Sequence, residues 1–110
     1  MRTATDDMIW RDVAGLADIP PLGGRVLVTA TGEIALLRNE DGEVFALDNR
    51  CPHKGGPLAE GTVTGYTVHC PLHGWRIDLS SGQVRDPDCG LVRTWDVRIE
   101  GDRILLRLPR

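Results

Sequence analysis

Two short segments of this chain are equipped for metal chemistry: Cys51-Pro52-His53 and Cys70-Pro71-Leu72-His73. Each brings one thiol and one imidazole, as C-x-H and C-x-x-H, with sixteen residues between them. They use two of the three cysteines and two of the three histidines, leaving His69 and Cys89. One Cys and one His from each segment would suit a tetrahedral zinc ion. Zinc fingers, however, usually space each ligand pair by two or more residues and keep like ligands together, which C-x-H does not do. A two-iron, two-sulfide centre with mixed ligands needs each loop to give a thiolate to one iron and an imidazole to the other. Two near-symmetric mixed loops do this naturally. A Cys51–Cys70 disulfide is the third outcome the same residues allow.

The elements that must hold these loops are strands. Thirteen glycines and seven prolines punctuate short apolar alternations, and no long stretch has helical period, which predicts an all-β domain. Strands are expected over 25–29, 32–38, 43–48, 66–70, 75–79, 93–100 and 103–108. Asn39-Glu40-Asp41-Gly42 forms a hairpin turn in which Gly42 is free to take positive φ. Residues 15–24, with Pro20-Pro21 and Gly23-Gly24, form a connection. In 93–100, period two puts Trp95, Val97 and Ile99 on one face and Thr94, Asp96 and Arg98 on the other. The flanks of the second ligand segment are thus strands, with Ser80-Ser81-Gly82 turning the chain back.

At 110 residues the chain fits one domain with a single modest core. Its net charge of −3, with both signs interspersed, gives no footprint for nucleic acid or an anionic membrane. Residues 1–9 contain Asp6 and Asp7 and no apolar run, so no signal peptide is expected, nor a membrane span. The expected setting is a reducing cytosol, where paired cysteines more often hold metal than form disulfides.

With these residues in view, Cys51-x-His53 and Cys70-x-x-His73 resemble the two cluster-binding loops of Rieske iron–sulfur proteins. The resemblance covers most of the chain from Trp10 onward and is specific from about Arg50 to Trp75. It implies one [2Fe–2S] cluster, with Cys51 and Cys70 on the buried iron and His53 and His73 on the outer one. It also implies the Rieske fold, an antiparallel β-sandwich with a small cluster-binding subdomain inserted at about 49–79. High-potential members carry an extra cysteine in each loop and brace the cluster with a disulfide. Lys54-Gly55-Gly56 and Leu72 stand in the corresponding places here, so that bridge cannot form. The pattern instead resembles the soluble, low-potential branch, which implies a potential on the order of −150 mV or somewhat higher.

Within that branch, Cys51-Pro52-His53-Lys54-Gly55-Gly56-Pro57-Leu58, Cys70-Pro71-Leu72-His73-Gly74-Trp75 with Asp78, and Val92-Arg93-Thr94-Trp95 with Val97-Arg98 resemble the small subunit of assimilatory NAD(P)H nitrite reductase. Cys89-Gly90 departs from that pattern, where an acidic residue is expected before the glycine. This resemblance implies a one-electron carrier without substrate chemistry of its own. Its partner would be a large subunit holding flavin, a [4Fe–4S] cluster and sirohaem, where nitrite becomes ammonia. A free-standing ferredoxin serving a ferredoxin reductase and an aromatic-ring oxygenase is the alternative, and a zinc-binding structural module the third. Gly55 and Gly56 either let backbone approach the cluster or are ordinary loop glycines. Asp86-Pro87-Asp88 resembles the family's covering third loop or is a surface turn. Arg50, Lys54 and Arg76 either form a docking rim for an acidic surface or a solvated face. Trp75 is expected in the core, His69 in a structural role on the opposite face from Cys70, and Cys89 as a free or buried thiol.

Overall fold

Four consecutive apolar residues, Ile34-Ala35-Leu36-Leu37, cannot sit on a strand with one wet face, because successive side chains point to opposite sides. In the computed structural model, which describes residues 8–30, 32–52, 55–72, 74–85 and 88–109, all four are buried and their strand is covered on both faces. That strand sets the layering of the molecule.

Among the described residues there are ten strands: β1 Met8–Gly15, β2 Gly24–Thr29, β3 Gly32–Arg38, β4 Val44–Asp48, β5 Thr62–Thr64, β6 Thr67–His69, β7 Arg76–Asp78, β8 Thr94–Trp95, β9 Val97–Glu100 and β10 Arg103–Pro109. They form an outer sheet β1-β10-β9, a central sheet β2-β3-β4-β8 and a third sheet β5-β6-β7, paired antiparallel throughout. Ile34 and Leu36 of β3, with Val44 and Ala46 of β4, pack against Ile104, Leu106 and Leu108 of the outer sheet. The alternate residues Ala35, Leu37 and Leu47 face the other way, onto Leu58, Val63, Val68 and Ile77, in the same apolar cluster as Cys51 and Cys70. The all-β architecture expected from the sequence is therefore present, with the central sheet shared between a sandwich core and a second core beneath the ligand loops.

The hairpin at Asn39 forms as its sequence predicts. The buried Asn39 side chain accepts hydrogen bonds from the amides of Asp41 (3.1 Å) and Glu43 (2.9 Å), and Gly42 takes φ +81°. The connection over 15–24 holds a single 3₁₀ turn, Leu16–Asp18. Three elements differ from the sequence reading. β1 was not expected, because a register shift between Asp12 and Ala14 breaks the alternation that would reveal it. β5 carries one apolar residue between two threonines and reads as loop. The expected strand over 93–100 is two strands in different sheets: Trp95 pairs with Ala46 in the central sheet, while Val97 pairs with Leu106 in the outer one. The chain changes sheets at Asp96, and Ile99, expected on the buried face, is 42% exposed. No described helix is long and apolar enough to cross a membrane.

Candidate metal centre

Cys51-Pro52-His53-Lys54-Gly55-Gly56 and Cys70-Pro71-Leu72-His73-Gly74-Trp75 share Cys-Pro at the start and glycine at the fifth place, with the histidine third in one and fourth in the other. They are closed by matching backbone hydrogen bonds. In the first, the Cys51 amide donates to the Gly56 carbonyl (2.8 Å) and the Gly55 amide to the Cys51 carbonyl (2.8 Å). In the second, the Cys70 amide donates to the Trp75 carbonyl (2.8 Å) and the Gly74 amide to the Cys70 carbonyl (2.9 Å). The fifth residue of each is a glycine in the left-handed region, Gly55 at φ +71° and Gly74 at φ +70°, where a side chain would cost about 1–2 kcal/mol. The second residue of each is proline, which fixes φ and offers no amide to compete for the turn. Matching backbone closures therefore hold the two cysteines at equivalent places in their loops. The candidate ligands His53 and His73 lie outside the described residues, as do Lys54, Asp86 and Pro87.

Both thiols are buried in the same core. Cys51 and Cys70 are 1% and 4% exposed, and both belong to the apolar cluster below the third sheet. No disulfide joins them, so the disulfide outcome is not adopted. The contact that joins the loops is at Gly56: a Cβ there would stand 2.8 Å from Cys70 Sγ and 3.0 Å from Leu72 Cγ. Backbone of the first loop thus presses on the sulfur of the second, and a glycine is required for it to do so. Of the two glycines considered from sequence, Gly55 shapes its loop and Gly56 provides the close approach.

Asn49, just ahead of the first loop, was not singled out by sequence reasoning. It is buried, its Oδ1 accepts from the Ala59 amide (2.8 Å) and its Nδ2 donates to Glu33 Oε1 (3.1 Å). Its own amide donates to the Glu33 carbonyl (2.9 Å). One side chain therefore ties both ends of the loop together and to β3. The only advance signal was an asparagine between an apolar strand and a ligand. Gly90 packs on the same loop from outside, where a Cβ would meet Pro52 Cγ at 3.1 Å.

The remaining candidates separate clearly. His69 lies on β6 between buried Val68 and Cys70, and its Nε2 is 3.3 Å from Thr64 Oγ1 across the hairpin. Trp75 is partly buried against the thiol-containing cluster, in keeping with a core role. Cys89 is an exposed thiol. Arg50 is exposed and lies along the first loop, with Nε 3.3 Å from where a Gly55 Cβ would be. Arg76 is exposed on β7.

Two soft sulfur donors in a dry, apolar setting, in paired loops that each carry a histidine in sequence, fit an iron–sulfur centre and define a metal–sulfur β-domain. The chain belongs to the Rieske [2Fe-2S] domain family, whose profile matches residues 9–96. Among its relatives, the ferredoxin component of a naphthalene 1,2-dioxygenase system from Pseudomonas aeruginosa is 36% identical over 101 residues, covering 90% of this chain and 95% of the relative. The ferredoxin of carbazole 1,9a-dioxygenase from Nocardioides aromaticivorans IC177 has a similar structure, with a TM-score of 0.77, 30% identity, and 92% and 98% coverage of the two chains. An NADH-dependent nitrite reductase small subunit from Mycobacterium tuberculosis superposes with a TM-score of 0.82 over 94% and 97% of the chains, but at 22% identity that likeness is one of fold. The cofactor is a single Rieske-type [2Fe–2S] cluster, and the function is electron transfer.

Proposed function

We propose that this chain is a free-standing Rieske ferredoxin that carries single electrons from a flavin-containing reductase to an oxygenase in the cytosol. The observation that supports this most directly is the 36% identity to a dioxygenase-system ferredoxin over 95% of that protein's length. In this reading the whole chain is one domain, with residues about 49–79 as its cluster-binding unit. Cys51 and Cys70 hold one iron through their thiolates, and His53 and His73 hold the other. Bound there, the cluster supplies a one-electron site that neutral imidazoles make easier to reduce than four thiolates would. The chain's own residues keep the sulfurs dry, through Leu58, Val63 and Val68, and fix both cysteines by the matched backbone bonds.

The small-subunit role in NAD(P)H nitrite reductase, beside a large flavin and sirohaem subunit, is the second reading. It draws on fold likeness and on the segment Val92-Arg93-Thr94-Trp95. Purification from native cells separates the two. A stoichiometric complex with a sirohaem protein supports the nitrite reductase role, whereas a free chain that shuttles electrons between a reductase and an oxygenase supports the ferredoxin. Ligand roles are tested by substitution. His53→Ala and His73→Ala are expected to abolish the cluster or change its electron paramagnetic resonance spectrum, and His69→Ala to leave it intact. Loss of the cluster in His69→Ala with retention in His73→Ala would overturn the assignment.

A further inference from the structure

The outer face of the third sheet carries a charge arrangement that the cluster site does not explain. Ile77 of β7 bridges antiparallel to Val84, and the Arg85 amide donates to the Arg76 carbonyl (2.8 Å). His69 of β6 stands opposite Arg76 in the ladder. His69 of β6, Arg76 of β7 and Arg85 on the segment bridged to β7 therefore form one row. Their chain neighbours Val68, Ile77 and Val84 are buried, so the row faces outward. Like charges at directly opposite positions repel each other. Asp78 lies diagonal to Arg85 and pairs with it at 3.2 Å. Beside them runs an open groove of about 490 Å³ lined by Arg76, Asp78, Ser81, Gln83, Val84 and Arg85. Its walls are mostly hydrogen-bonding groups, which suits carboxylates, because a guanidinium binds a carboxylate through two parallel bonds.

The position of this row matters as much as its charge. Arg76 directly follows Trp75, whose carbonyl closes the second ligand loop, and Arg50 lies along the first loop at Gly55. Charge is also divided along the chain. Residues 50–93 carry five basic and four acidic side chains, and all other residues carry eight and twelve, so the cluster segment is +1 and the remainder −4. A molecule charged this way turns its cluster end toward a negative surface and its body away from one.

We propose that the outward pair Arg76 and Arg85 is the docking surface for an acidic face of the redox partner. The proposal rests on the electron-transfer reading above. Its test uses the reduced, cluster-loaded protein and ferricyanide, a trianion that takes one electron and becomes ferrocyanide. The rate is followed from about 0.01 M to about 1 M NaCl, over which the screening length falls from ~30 Å to ~3 Å.

The expected result is a rate that falls as salt rises, although the protein as a whole is negative. The double variant Arg76→Gln/Arg85→Gln is expected to react about tenfold more slowly at low salt and to lose most of the salt dependence. Arg98→Gln/Arg107→Gln makes the same change of net charge on the outer sheet and is expected to behave like the unmodified protein. Poly-L-glutamate, an acidic polypeptide, is expected to slow the reaction of the unmodified protein and not that of Arg76→Gln/Arg85→Gln. A rate that rises with salt would overturn the proposal. So would equal effects of the two double variants, or indifference to poly-L-glutamate. A protein whose colour does not bleach with dithionite would instead remove the electron-transfer reading itself, before any rate is measured.

Discussion

Gly56 and Gly74 are glycines for different reasons, and the difference can be measured. A methyl group on Gly56 would collide with Cys70 Sγ and Leu72, whereas one on Gly74 meets nothing within 4 Å among the described residues, and its φ is +70°. Gly56→Ala is therefore expected to lose most of its bound iron, and Gly74→Ala to keep it while losing about 1 kcal/mol of stability. Iron content and thermal midpoint, measured on both, decide the matter; equal iron loss in the two would contradict the geometry. At Tyr66, the hydroxyl donates to Glu43 Oε1 (2.7 Å), and this bond, with the charge of Glu43, raises the tyrosine above its ordinary value of 10.0. A pKa raised by folding gives stability that is full below the unfolded value and lost as pH rises through the folded one. Stability is thus expected to fall above about pH 10, and Tyr66→Phe to lose that part of the decline in alkaline denaturation curves. Types and spacing singled out four ligand candidates, of which the structure describes Cys51 and Cys70. The role of Asn49 was not legible, because an asparagine shows its value only when the chain ten residues later, at Ala59, returns to it.

Among the elements, strands with clean alternation or clear turn residues were legible: β3 matched residue for residue at Gly32–Arg38, and its hairpin partner β4 begins one residue later than expected. Those that failed did so for stated reasons: a bulge hid β1, brevity hid β5, and the step between sheets at Asp96 divided one apparent strand into two. Sequence pattern records which residues face a core, but not that the core changes along the strand. The turn before β2 offers a prediction of its own. The Gly23 amide donates to the Pro20 carbonyl (3.1 Å), and Leu22, at φ +60°, occupies the place that favours glycine in such a turn. Leu22 is 44% exposed, so little packing is at stake. Relief of the left-handed strain, offset in part by a freer unfolded chain, is expected to make Leu22→Gly more stable by about 0.5–1 kcal/mol. A lower denaturation midpoint would show instead that the leucine's contacts outweigh its backbone cost.

At the scale of the whole molecule, two cores meet at one sheet, and only one of them contains the thiols. Removal of iron by an anaerobic chelator is expected to lower hydrogen-exchange protection at Val63, Val68 and Ile77 by about 100-fold, while Ile104 and Leu106 keep theirs. Uniform loss across both groups would mean that the sandwich does not stand without the cluster. Family and fold class were legible at this scale because the ligand loops are local in sequence. The sharing of the central sheet was visible only as an unbroken apolar run whose partners lie far along the chain. That run has a further consequence. Along β3, parity acts as an address: positions 34 and 36 report to the sandwich, and 35 and 37 to the metal side. A single step along the strand moves a substitution from the molecule's durability to its cargo.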